Sequence, residues 1–200
     1  MSKQRCCIAL LACLMFIPME LSAQEKALPL GGRVTLGSNP VYWVLGGYHI
    51  KPSYHFPQKW SVGLTLQGGF ILPDFARDQF FSHKNDSITV DWRYAIGIEL
   101  KYRFTKASFD KGLYTAINLG YEGWTVEAEE NEAFDNWFSS LDVGYNWYPF
   151  AKKRLHFGAQ YTLIVILNNT NEQRAGDSPF NIRRLVPPSL APSLFIGWRF

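Results

Sequence analysis

The sequence predicts an all-β protein, an eight-stranded antiparallel up-and-down transmembrane β-barrel. The first of three supporting observations is Ile88–Phe104. There Ile88, Val90, Trp92, Tyr94, Ile96, Ile98, Leu100, Tyr102 and Phe104 alternate with Thr89, Asp91, Arg93, Ala95, Gly97, Glu99, Lys101 and Arg103. One face is aliphatic and aromatic and the other is charged or small, whereas soluble strands usually stop after about 5–6 residues. The second is that other segments along the chain share this period of two. The third is that, past the first residues, no apolar run approaches the ~18 residues of a membrane-spanning helix.

Taken in order, the chain opens with Lys3 and Arg5, an apolar run over Cys6–Ile17, and Pro18. This is the pattern of a secretory signal, with a cleavage site at Leu21-Ser22-Ala23 before Gln24. A lipoprotein signal at Leu10-Leu11-Ala12-Cys13 is a rival. Cleavage there would leave the apolar Leu14-Met15-Phe16-Ile17 where a polar linker belongs. Residues 1–23 are therefore read as a signal peptide and 24–200 as one barrel domain. The cysteines, Cys6, Cys7 and Cys13, all fall in the signal, so neither a disulfide framework nor a thiolate site is expected. The formal charge of +3 is small and its basic residues are scattered, which gives nucleic-acid binding no support.

The predicted strands are Leu28–Gly37, Tyr42–Phe56, Trp60–Leu72, Ile88–Phe104, Leu113–Thr125, Trp137–Trp147, Leu155–Leu167 and Ser189–Phe200. Each sets an apolar face against one rich in glycine, hydroxyls and charge. An even number brings the chain back to its starting end, as barrel closure requires. Long polar connections, Pro73–Ser87, Glu127–Asp135 and Asn168–Asn181, alternate with shorter ones near Pro57-Gln58, Thr105–Asp110 and Ala151–Lys152. That asymmetry is the one expected of outer-membrane barrels. Ser38-Asn39-Pro40 is a short exception. Pro187, Pro188 and Pro192 predict a bend or bulge before the last strand, since proline cannot donate to a ladder.

Alternation leaves open which face points inward, and a soluble lipocalin-like barrel would hide its apolar face around a ligand. Three features favour the opposite orientation. Eight strands leave a lumen that side chains just fill, so a full set of Trp, Tyr, Phe and Ile would overfill it. Tyr54, Trp60, Tyr102, Phe104, Trp147 and Trp198 gather toward strand ends, as aromatic girdles do at membrane interfaces. Gly47, Gly63, Gly69, Gly97, Gly120, Gly144, Gly158 and Gly197 recur on the polar face, making room for charged neighbours in a narrow interior.

The chain ends in Phe195-Ile196-Gly197-Trp198-Arg199-Phe200. Over Leu28–Phe200 it resembles the small eight-stranded outer-membrane barrels of the OmpA and OmpX type, and its Ala23-Gln24 junction and loop style are similar to members from Bacteroidota. The resemblance implies the outer membrane of a Gram-negative bacterium. It implies as partners outer-membrane lipid, lipopolysaccharide and the barrel-assembly machinery, which reads a terminal aromatic strand. A monomer is expected. None of the resembling motifs carries a catalytic, metal or cofactor role, so no cofactor is expected.

The predicted interior collects Arg33, Lys51, Arg93, Lys101, Arg103 and Arg199 with Asp91, Glu99, Glu122 and Asp142. These charges suit either a selective pore or an ion-pair network that fills the lumen. The network is favoured, because unpaired buried charge is costly and water-filled channels need wider barrels. His49 and His55 are too far apart along one strand to share a metal. Ser82 and His83, near Asp86 and Ser87, supply the residue types of a lipid A acyltransferase or deacylase, although nucleophilic chemistry also needs hydrogen-bond geometry. Glu127, Glu129, Glu130, Glu132 and Asp135 form an acidic loop that is read as solvated. The expected function is a structural, adhesive or surface-interaction role through external loops, without catalysis. A narrow pore, a lipid A-modifying enzyme and a soluble ligand-binding barrel are the alternatives.

Overall fold

The computed structural model describes residues 34–57, 59–83, 88–105, 111–128, 130–150, 154–168, 173–175, 178–186 and 193–200. The expected signal peptide, Arg33 and the segment with Pro187, Pro188 and Pro192 lie outside the described residues. In chain order the elements are β1 Val34–Ser38, α1 Pro40–Val44, β2 Tyr48–His55, β3 Trp60–Gly68, β4 Phe70–Ile71, α2 Asp74–Phe80, β5 Phe81–His83 and β6 Thr89–Arg103. They continue with β7 Gly112–Glu127, β8 Asn131–Trp147, β9 Leu155–Ile166, β10 Gln173–Ala175, β11 Ser178–Ile182, β12 Leu185–Val186 and β13 Ser193–Arg199.

The ring closes through antiparallel pairs alone. β1 pairs β2, β2 pairs β3, and the ladder runs on through β6, β7, β8 and β9. β13 then pairs both β9 and β1. β4 prolongs β3 along β6, and β12 runs along the far part of β9, so the wall is a closed eight-stranded antiparallel barrel. The end where β1 starts beside the finish of β13 is called the base, and the opposite end the crown. β10, β11 and β5 make a separate small sheet, all of it from crown connections.

Two predicted elements are corrected. Tyr42–Val44 is helical rather than part of a strand from Tyr42 to Phe56. The Asn39 side chain accepts the Val41 N–H at 3.0 Å and Pro40 occupies the first turn, a cap and a preset φ that start a helix. The long loop Glu127–Asp135 is instead the top of a hairpin. β7 and β8 stay in register up to Glu127↔Asn131, because Trp124 and Phe134, directly opposite one another, both turn into an apolar core. The wall is consequently uneven. β7 and β8 have 16 and 17 residues, whereas β2 has 8.

The larger correction concerns which way the apolar face points. Near the base the outer surface carries Ile98, Leu100, Ile117, Leu119, Leu141 and Val143, all exposed, while Glu99, Lys101, Asn118 and Asp142 are buried inside. Toward the crown this arrangement inverts. Phe70, Leu72, Ile88, Val90 and Trp92, expected on the outer face, are buried in the interior core. The cause is a pair of bulges. Gln67 faces Ala95 and Phe70 faces Trp92, with an irregularity on β6 between Trp92 and Tyr94. An extra residue in a strand swaps the two faces beyond it. Gly68 and Gly69 have φ of 131° and 76°, a backbone that glycine accepts readily. A Cβ on Gly68 would sit 2.6 Å from Tyr94 Cα, so the two bulges nest against each other.

Candidate functional site

The lumen is built in layers. At the base, Thr35 Oγ1 lies 2.9 Å from His55 Nε2, and His55 Nδ1 lies 2.8 Å from Ser61 Oγ. Arg103 donates to the Phe56 carbonyl at 3.1 Å. The Arg199 guanidinium stands 5.7 Å from the Tyr148 ring, which leans on His156. Arg103 and Arg199 therefore meet carbonyl and aromatic partners.

Above them lies the central ion cluster. Glu99 accepts the Lys51 ammonium in a direct ion pair and lies 3.6 Å from Lys101 Nζ. Glu99 is only 1% exposed, so its charge depends on these two cations rather than on water. Lys101 also caps the Tyr114 ring at 4.4 Å, and the Tyr114 hydroxyl donates to Gln160 Oε1 at 3.0 Å. A cavity of about 20 Å³ remains between Lys51, Lys101, Tyr114 and Gln160. That holds roughly one water, since a water needs about 10–15 Å³.

Glu122 and Asn136, cross-strand neighbours on β7 and β8, form the last polar layer below the apolar core. Glu122 Oε1 and both polar atoms of the Asn136 amide have no protein hydrogen-bond partner among the described residues. The layer thus separates paired charge from hydrocarbon-like packing.

Of the predicted interior residues, Lys51, Glu99, Lys101, Arg103, Glu122, Asp142 and Arg199 are buried in the lumen. Asp91 and Arg93 are not, because they sit at or beyond the β6 bulge. Arg93 instead lies on the outer side, 2.9 Å from Asp135 Oδ1, and the Tyr94 hydroxyl donates to the same oxygen at 3.0 Å. Asp135, expected in a solvated acidic loop, is therefore tied into the wall. His49 Nδ1 accepts the Asn39 N–H at 3.1 Å, which anchors the start of α1. Ser82 is exposed on β5, while Glu129, Asp86 and Ser87 lie outside the described residues.

The crown contains packed architecture that sequence reasoning missed. The Trp92 and Trp124 rings stack at 5.0 Å and 8°, and Phe81 packs edge-on to Trp124, Phe134 and Phe180. Buried Arg77 on α2 pairs with Asp74 at 3.2 Å and Asp78 at 3.1 Å and donates to the Ile88 carbonyl at 2.9 Å. The connections expected to be loops thus pack with the crown ends of the wall strands into one apolar core.

No family model matches the chain, and no curated protein matches it. Among solved structures it is similar to Ail, the attachment invasion locus protein of Yersinia pestis, determined in complex with the heparin analogue sucrose octasulfate. Identity is 12%, with 84% of this chain and 94% of that one covered and a TM-score of 0.39. The closed hydrogen-bonded ring of this chain, rather than so distant a likeness, establishes its eight-stranded barrel.

Proposed function

We propose that the barrel resides in the outer membrane of a Gram-negative bacterium, with its base toward the periplasm, and holds the crown outside as a structural or adhesive surface without catalysis. The observation that carries this reading is the exposed apolar belt around a charged lumen, the inside-out pattern that lipid selects. Trp137 and Trp147 bound the belt on β8, ten residues apart. At about 3.3 Å per residue and about 40° of tilt they span about 25 Å, the height of an outer-membrane apolar band. Lipid and lipopolysaccharide are then the lateral partners. The strand ending in Trp198-Arg199-Phe200 is the segment offered to the assembly machinery.

The packed crown supports a surface role. A binding surface held by its own core loses less entropy on engaging a partner than free loops do. A pore is the second reading, and the Lys51–Glu99–Lys101 cluster in the bore and the aromatic crown core speak against it. Flotation of the expressed chain with outer-membrane vesicles tests the location. Planar-bilayer recording tests the lumen, where a closed trace is expected and steady single-channel steps would replace this reading with the pore.

A further inference from the structure

The segment Ser38–Tyr48 differs from every other crown connection. It contains no charged residue, whereas the connection after β4 carries Asp74, Arg77 and Asp78 and the hairpin tip carries Glu127, Glu130 and Glu132. Its helix α1 has no buried residue, and Val41, Trp43, Val44 and Leu45 are exposed, Val44 at 87%. Four large apolar side chains on an uncharged segment are costly to leave in water.

The wall explains where they belong. From Tyr48 to Tyr54 on β2 the strand covers only about 15 Å of height, by the same rise and tilt that give about 25 Å on β8. Here β1 ends at Ser38 and β2 starts at Tyr48, well short of the belt's upper edge. α1 follows directly from β1 and touches β2 and β13, so its apolar surface continues that of Leu36, Ile50 and Leu194, all exposed on the outer wall. The Tyr42 ring turns the other way, 5.0 Å from Phe70 and 5.8 Å from Trp92, and fixes the helix to the crown core.

Resting on the membrane placement above, we propose that α1 is a lipid-embedded element. It lies in the outer leaflet, with Val41, Trp43, Val44 and Leu45 among acyl chains, and completes the apolar belt over the low wall. The occupant of this face is hydrocarbon, not a protein ligand.

The test uses nitroxide labels in the full chain with Cys6, Cys7 and Cys13 replaced by serine, reconstituted in phosphatidylcholine vesicles. Labels go at Val44→Cys, at Leu119→Cys in the belt and at Asp74→Cys in the crown. Collisions with lipid-soluble oxygen and with a water-soluble nickel chelate are compared. The proposal expects position 44 to match position 119, with a several-fold excess of oxygen over nickel collisions relative to position 74. If position 44 matches position 74, α1 faces water and the inference falls while the barrel placement stands. If position 119 also favours nickel, the membrane placement itself falls. Dipolar broadening between labels at 44, with both reagents excluded, would make α1 a contact between copies and overturn the proposal. Val41→Cys serves as the second labelling site should Val44→Cys not fold.

Discussion

The base half and the crown half of this barrel are made from the same strands but solve opposite solvation problems. In the base half, apolar side chains of β6 and β7 such as Ile98, Ile117 and Leu119 face outward while Glu99, Lys101 and Asn118 fill the bore. In the crown half the same two strands turn Val90, Trp92, Trp124 and Val126 inward and Asp91, Thr125 and Glu127 outward. The lower arrangement suits surrounding lipid and the upper one surrounding water. On the proposed placement, one barrel runs from membrane into solvent without a separate domain. The transition is confined to the Gly68-Gly69 and Arg93 bulges and the Glu122–Asn136 layer.

Substitutions that act on one half and spare the other sharpen this contrast. Glu99→Ala leaves the Lys51 and Lys101 ammonium groups facing each other in the bore. Breaking a buried pair costs about 3–5 kcal/mol, and urea unfolding of the vesicle-bound protein is expected to show that loss. Trp124→Ala opens the crown core and carries a cost of about 3–5 kcal/mol. Its expected signature is protease cleavage between β4 and β6 or between β9 and β13, with the base half still protected.

A matched pair on one strand comes next. Leu119→Arg places a charge in the belt and is expected to cost about 2–4 kcal/mol, as at a bilayer midplane. Thr125→Arg on the same outer face lies above the switch and is expected to change stability by no more than about 0.5 kcal/mol. Equal effects of the two in vesicle unfolding titrations would break the division into halves. Gly68→Ala is expected to cost about 1–3 kcal/mol of backbone strain. It presses on the Tyr94 backbone and should loosen the crown in hydrogen exchange before it loosens the base.

The barrel itself was legible because a period of two survives in every wall strand and an even strand count closes the ring. The inversion was hidden for a specific reason. In Ile88–Phe104 and in Trp60–Leu72 the apolar residues keep even positions throughout, so a bulge that swaps faces leaves the written pattern unbroken. Length held the available clue. A membrane strand needs about 9–11 residues, and a seventeen-residue run exceeds that by enough for a second environment. The adjacent Gly68 and Gly69 marked where the change falls, since glycine inside a strand signals a bulge. Asp91 and Arg93 were misplaced with the same phase, whereas Lys51, Glu99, Lys101 and Asp142 lie below the switch and kept theirs. The crown core was illegible because it joins Phe81, Phe134 and Phe180, three residues from separate connections whose local sequence is polar.

Tryptophan quenching tests the inversion most directly. In one variant Trp92 and Trp124 are kept and Trp43, Trp60, Trp137, Trp147 and Trp198 become phenylalanine. In a second, only Trp137 and Trp147 remain. With both variants reconstituted in vesicles of brominated lipid, strong quenching is predicted for Trp137 and Trp147. Little is predicted for Trp92 and Trp124, from either the bromines or aqueous acrylamide. Bromine quenching of Trp92 and Trp124 equal to that of the belt pair would contradict the account, because the crown interior would then be in contact with lipid.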